Sequence, residues 1–329
     1  MSYAAALASQ GGHPTLFIPH HYALGTDPDD WNPQLELELE LLIRYAPPAA
    51  LVYDATAVYG GVIETMARHH EIYSVWLRRP MWSEMHRKFL ALSHRFDAVI
   101  EPGELADEFD EGPTKEHQHQ VHRVPPVLLL APEERLKREQ ARRELALPEG
   151  AIVVALQLGS GTNFDMRPVR EAAIAALLRR PEVVVLDLRS SVRPIGGAKI
   201  PTEPRHRVID LFPAFRHSRA FDAAVCAPGY NAFHESILGG IPTLFVPNEA
   251  EGMDQQLSRA RWSEQRGMAL LLRRDDHLAG AGPSIERLLD STERQRMAER
   301  CNEIVWTNGA DAIVRFIEEH AIAAQRKTV

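Results

Sequence analysis

Short runs of apolar residues recur along this chain, and most are separated by longer stretches of helical periodicity. The runs Thr15–Ile18, Ala50–Tyr53, Tyr73–Leu77, Ala98–Glu101, Ile152–Leu156, Val183–Asp187, Val208–Leu211, Ala223–Cys226, Thr243–Val246 and Met268–Leu272 read as strands. Helical patterns fall at Leu35–Tyr45, Gly61–Arg68, Ser83–Arg95, Glu133–Leu145, Val169–Arg179, Ala232–Gly239 and Asp254–Gln265. The strand runs are continuously apolar rather than alternating, so both faces are expected to be covered. That is the mark of a parallel sheet in an α/β fold, because a parallel crossover needs a helix to return the chain.

At about 150 residues per domain, 329 residues suggest two domains. The break is expected at Val124-Pro125-Pro126-Val127, where two prolines favour an extended linker. The expectation is therefore two Rossmann-like domains, 1–126 and 127–329. The helical stretch 284–329, interrupted near Asn308-Gly309, is expected to end packed back on the first domain. The first half departs from the doubly wound pattern: a helix (Ser2–Ser9) leads into Gly11-Gly12, and the strand that would sit mid-sheet is missing. A gap there would leave backbone groups unpaired, so either the natural chain starts upstream or another segment fills the place.

Composition narrows the function classes. With 37 Lys and Arg against 45 Asp and Glu, the net charge of −8 argues against a nucleic-acid partner. Cys226 and Cys301 form no CxxC pair, so neither a disulfide framework nor a zinc knuckle is expected, and a cytoplasmic location is the simplest. The N-terminus lacks a basic n-region, and no run of 18 apolar residues occurs.

Two segments carry the chemistry. In Phe221–Gln256 a strand ends in Ala227-Pro228-Gly229, and a helix opens near Asn231, a candidate N-cap, stopping at Gly239-Gly240 before Pro242. Gly229, Tyr230 and Asn231 thus mark a helix N-terminus suited to an anion. Glu235, one turn in, suits a ribose diol; His234 beside it is either a phosphate contact or a packing residue. In Ala155–Asp165 a strand ends in Gly159-Ser160-Gly161-Thr162-Asn163, which allows close backbone approach to phosphate and adds hydroxyl donors. The spacing fits neither GxGxxG nor GxxxxGK[ST].

Gly229 to Glu235, then Gly240-Ile241-Pro242, then Asp254-Gln255-Gln256 resemble the donor-site signature of GT-B glycosyltransferases. They are similar in particular to those of the MurG-type UDP-N-acetylglucosamine transferases with the family 28 C-terminal domain. Leu158-Gly159-Ser160-Gly161 is similar to that family's first C-domain loop. The likeness covers most of 150–270; Val52-Tyr53-Asp54 and Trp76-Leu77-Arg78-Arg79 match more loosely. It implies a GT-B fold whose second domain binds a UDP-sugar. Glu235 would hold the ribose, Asp254, Gln255 and Gln256 the sugar, and the two glycine loops (Gly159, Ser160, Gly161, Thr162; Gly229, Tyr230, Asn231) the diphosphate. It also implies inverting transfer of N-acetylglucosamine or a related hexose to an acceptor hydroxyl. No cofactor or bound metal is implied, since helix N-termini and backbone amides stabilise the leaving group. The acceptor would be lipid-linked or a cell-envelope glycan, met at the inner face of the membrane.

The family's GxGH loop, whose His is a candidate base, has no counterpart here. His20, His21 and Asp54, at ends of strand-like runs, are the candidate substitutes. Asp27-Pro28-Asp29 has the form of a metal-binding DxD but reads as a solvated loop, as does His117–His122 with its alternating histidines. Trp76–Arg95 mixes tryptophans with basic residues, which suits either a membrane interface or an ordinary strand and helix. The base is expected to be read by the Phe212–Arg216 loop. The rival functions are a UDP-sugar epimerase or hydrolase on the same fold, and a non-catalytic nucleotide-sugar-binding protein.

Overall fold

The computed structural model describes residues 8, 11–159, 165–189, 203–273 and 276–328. The chain forms two compact units. One comprises Met1–Glu104, Glu111–Val127 and Gly309–Val329; the other comprises Leu105–Asp110 and Leu128–Asn308.

The first unit contains α1 (Pro28–Tyr45), β1 (Ala50–Asp54), α2 (Gly60–Arg68), β2 (Tyr73–Leu77), β3 (Ala98–Pro102) and β4 (His122–Val124). The strands form one parallel sheet in the order β1-β2-β3-β4. Trp31, Leu35 and Ile43 of α1 and Val62, Ile63 and Met66 of α2 pack with Trp76 and Val99 in one core. Val75, Ile100 and Val124 pack instead with Ile313 of the terminal helix, Ala310–Thr328. Successive strand residues thus feed opposite layers, which is why the runs are apolar throughout. Helices α1 and α2 meet at Gly61, where a Cβ would lie 2.6 Å from the Asn32 carbonyl.

Several expectations change here. Thr15–Ile18 forms no strand, and among the described residues the sheet begins at Ala50. Asp27 is the N-cap of α1, its carboxylate accepting from the Asp29 N–H, and Pro28 opens the helix. Ser83–Arg95 breaks into short turns rather than one helix. His122 lies in a strand, in register with Ile100, and stacks on Phe316. Trp76, Trp82 and Arg78 are buried, so the basic aromatic stretch does not present them to a membrane. Ser2–Ser9, apart from Ala8, lies outside the described residues.

The second unit contains α3 (Arg138–Glu144), β5 (Ile152–Gln157), α4 (Arg167–Leu177), β6 (Val183–Leu188), β7 (His206–Ile209), β8 (Ala223–Cys226), α5 (Tyr230–Leu238), β9 (Thr243–Phe245), α6 (Gln256–Gln265), β10 (Ala269–Leu271), α7 (His277–Leu289) and α8 (Ser291–Cys301). Its parallel sheet has the order β10-β9-β8-β5-β6-β7. Val154, Leu156, Val183, Val185 and Val225 face one core; Val153, Ala155, Val184, Leu186 and Ala224 face the other. The Glu133–Leu145 pattern divides into a turn at Pro132–Glu134 and α3. β7 starts earlier than the run Val208–Leu211 suggested. Strand order reverses at β5–β8, and ligands of open α/β sheets bind beyond the carboxyl ends at such a reversal. Among the described residues no helix is long and apolar enough to cross a membrane.

Candidate functional site

The reversal brings together the end of β5 and the β8–α5 turn. Gly159, just past β5, has φ of +74°, a left-handed conformation that favours glycine. Arg170 of α4 reaches its carbonyl at 3.5 Å and also pairs with Asp187 at the end of β6. Asp187 is buried and additionally accepts from Arg189 (2.5 Å) and His206 (3.3 Å). Burial opposes its charge, but His206, Arg189 and Arg170 together hold its carboxyl below the usual range. Ser160, Gly161 and Thr162 lie outside the described residues.

Helix α5 starts at Tyr230, with Gly229 rather than Asn231 as N-cap. The Gly229 C=O accepts from Phe233 N–H at 2.9 Å, and a Cβ at Gly229 would meet nothing within 4 Å. Among the described residues, the space beside Gly229 is therefore open. Asn231 is exposed in the first turn, whose N–H groups have no intrahelical partner. Tyr230 and His234 are buried. His234 Nδ1 donates to the Tyr230 carbonyl at 2.7 Å, which leaves Nε2 to accept from Leu105 N–H at 3.2 Å. Both nitrogens are thus engaged, and His234 ties residues 105–110 to α5.

Glu235 lines a small cavity with Gln157 of β5, Phe215, Ser218 and Cys226. Its carboxylate makes no hydrogen bond among the described residues. Burial lifts its carboxyl to about 7, and raises the neighbouring Cys226 thiol to about 12. Ala214 and Phe215, from the loop singled out for base recognition, lie on the same wall. Arg135 stacks over Phe215 and donates to the Gly239 carbonyl at 2.8 Å, closing the far end of α5.

Asp254, Gln255 and Gln256 are drawn into this arrangement through Arg259. Arg259 is fully buried, pairs with Asp254 and donates to the Pro228 carbonyl at 3.3 Å, beside Gly229. The Gln256 amide donates to Asp254 (3.2 Å), while its oxygen accepts from Asn248 N–H (3.0 Å). Gln255 donates to Asp110 at 2.6 Å. One network therefore fixes the turn before α5 and the loop before α6. Arg259, Gln157 and Ser218 were not singled out from sequence. Arg259 lies five residues after Asp254, which precedes the helix, so the helical spacing rule does not mark the pair.

In the first unit, His20 and His21 meet on one phenol. Tyr59 Oη lies 2.8 Å from His20 Nε2 and 3.2 Å from His21 Nε2, with Trp31 packed edge-on to the Tyr59 ring. Burial raises the Tyr59 hydroxyl above its usual value. Asp54 is exposed at the end of β1, and no hydrogen bond among the described residues joins it to either histidine. Tyr59 was missed because a lone tyrosine before a helix carries no spacing signal.

The arrangement is that of the GT-B glycosyltransferase fold: two parallel α/β units, the second offering an open helix N-terminus and a carboxylate one turn in. Comparison with solved structures agrees. MurG of Acinetobacter baumannii superposes with a TM-score of 0.58 at 13% identity, over 95% of this chain and 87% of that one. Os79 of O. sativa in complex with UDP gives 0.62 at 14% identity, over 98% and 87%. In sequence, the UDP-N-acetylglucosamine–N-acetylmuramyl-(pentapeptide) pyrophosphoryl-undecaprenol N-acetylglucosamine transferase of Alcanivorax borkumensis is 30% identical over 101 residues, 30% of this chain. That match spans 28% of the length of the curated relative. No family model matches the chain.

Proposed function

We propose that the chain is a glycosyltransferase that takes a hexose, N-acetylglucosamine or a relative, from a UDP-sugar and places it on an acceptor hydroxyl. The observation that carries this reading is Glu235. A carboxylate without a partner, partly buried on a cavity wall, is costly unless a ligand satisfies it. A ribose diol offers two O–H donors of the right kind. The first-turn N–H groups of α5 would take the diphosphate, and Gly159 lets the backbone after β5 approach it. The Asp254–Gln256 loop, held by Arg259, would meet the sugar.

In the transfer, the acceptor oxygen attacks the anomeric carbon, the bond to the diphosphate breaks, and a base takes the hydroxyl proton. His20 or His21 on the Tyr59 hydroxyl is the proposed base, with Asp54 as the other candidate. Charge developing on the leaving diphosphate is met by the helix N-terminus, so full activity is expected in EDTA. The relative's printed name gives it an undecaprenol-linked acceptor; a lipid-linked or cell-envelope acceptor at the inner membrane face is proposed here by that analogy.

Calorimetric titration with UDP, UDP-N-acetylglucosamine and GDP-mannose, beside Glu235→Ala, tests the reading. UDP compounds should bind selectively and the variant should bind them more than tenfold more weakly. A folded chain that binds none of them removes the proposal. Turnover of donor without any acceptor would instead favour an epimerase or hydrolase.

A further inference from the structure

Between β3 and β4 the chain leaves the first unit after Glu104, and Leu105–Asp110 belongs by its contacts to the second. Hydrogen bonds along its length fasten this strap to the elements of the donor site. Leu105 N–H donates to His234 Nε2 of α5 at 3.2 Å. The Glu108 carboxylate, in a turn at Asp107–Phe109, accepts from Trp262 Nε1 of α6 at 2.7 Å and from Arg266, which caps that helix. Arg266 also lies over the Trp262 ring, 4.5 Å from its centroid. Ala106 is fully buried. Asp110, only 2% exposed, accepts from the Gln255 amide at 2.6 Å.

The two glutamines before α6 are held differently. Gln256 is buried; its amide donates to Asp254 and its oxygen accepts from Asn248 N–H, so it serves the loop. Gln255 is half-buried, with surface that a ligand can reach, and its NH2 group is turned to Asp110. A carboxylate only accepts, so this bond fixes the rotation of the amide as well as its place. Ordering a long, flexible side chain on binding weakens a ligand, and a glutamine already held avoids that loss. The bonds of the strap to His234 and α6 hold Asp110 itself, so the orientation is set before a donor arrives.

We propose, resting on the UDP-sugar reading of this loop, that Asp110 is the positioning residue for Gln255, and that Gln255 is the glutamine that meets the donor sugar while Gln256 holds the loop. Asp110 acts through Gln255 and touches no part of the donor. Its contribution therefore falls on the sugar and not on the nucleotide, which Glu235 and the first turn of α5 would take.

Calorimetric titration of the full chain with UDP and with UDP-N-acetylglucosamine gives the sugar's share as the ratio of the two affinities. Asp110→Ala should lower that ratio about fivefold or more and leave UDP affinity within about twofold. Asp110→Leu, which fills the buried space without an acceptor, should do the same. Asp110→Asn, whose oxygen can still accept from the Gln255 amide, should keep the ratio within about twofold. Gln255→Ala should itself lower the ratio about fivefold or more, and adding Asp110→Ala to it should change nothing further. Equal weakening of both ligands by Asp110→Ala and Asp110→Leu overturns the inference. So does an unchanged ratio in either the Asp110→Ala or the Gln255→Ala chain, additive losses in the double variant, or a wild type that binds UDP and not the sugar nucleotide; each of these leaves the nucleotide site standing. A folded wild type that binds neither ligand removes the donor site altogether, and this role of Asp110 with it.

Discussion

Replacing Glu235 with glutamine should make the protein more stable and less able to bind nucleotide. Burial lifts the Glu235 carboxyl from its ordinary 4.5 to about 7. Between those values the folded chain holds a proton that the unfolded chain has released, so stability falls as pH rises through this window and is level on either side. At roughly 1.4 kcal/mol per pH step, keeping the group ionised above pH 7 costs the fold about 3 kcal/mol. Partial exposure makes that an upper figure. Glu235→Gln removes this cost with little change in shape. Urea unfolding of the wild type should show the mid-point falling between pH 5 and 7, and the variant should lack that slope. Near pH 8 the variant should gain up to about 3 kcal/mol, a melting rise of roughly 6–12 °C for a unit of this size. Binding should run the other way. If the ionised carboxylate takes the ribose diol, UDP affinity should fall about tenfold per pH step below 7, and the variant should lose roughly 10–100-fold at pH 8, the worth of charged hydrogen bonds. A variant no more stable than wild type at pH 8, with an unchanged pH slope, would refute the claim that this carboxylate stands unpartnered on the cavity wall.

Other outcomes follow from the same geometry. Gly239→Ala would place a Cβ 2.5 Å from the Glu235 carbonyl oxygen and 2.7 Å from the Phe215 ring, so about 1–3 kcal/mol should be lost in urea unfolding and UDP binding should weaken with it. Glu101→Ala would strand Arg78, fully buried over the Trp76 and Trp82 rings, and should cost about 3–5 kcal/mol by denaturant titration. The double change Arg78→Met with Glu101→Leu should recover most of that loss. His20→Gln should lower kcat by about 100-fold or more with the donor KM unchanged, if His20 is the base; Tyr59→Phe should shift the pH profile of kcat.

The second unit was legible because its sequence signals are local. Short β-branched runs such as Val183–Asp187, set between helical patterns, favour strands covered on both faces, and the structure divides their side chains between two cores. A Gly229 turn followed by Glu235 places an anion site and a carboxylate one turn apart by helix geometry alone. What stayed hidden was tertiary. Nothing in Asp254-Gln255-Gln256 shows that Arg259 reaches back to the Pro228 carbonyl, because that contact spans 31 residues. The N-cap was misplaced by two residues because cap propensity favours asparagine, whereas the helix opens at Tyr230 and Gly229 takes the cap position.

The first unit was less legible because periodicity there serves two demands. Thr15–Leu16-Phe17-Ile18 is apolar without being a strand, and Leu16 and Phe17 are more than half exposed. In α1 the leucines at 35, 37, 39 and 41 alternate with glutamates like a half-buried strand, yet the segment is an 18-residue helix. Alternation gives a helix apolar residues on two sides: Leu35 turns to the core and Leu37 to solvent. The helical reading of Leu35–Tyr45 holds, and the second apolar row it leaves exposed gives α1 more contact-forming surface than its own unit uses.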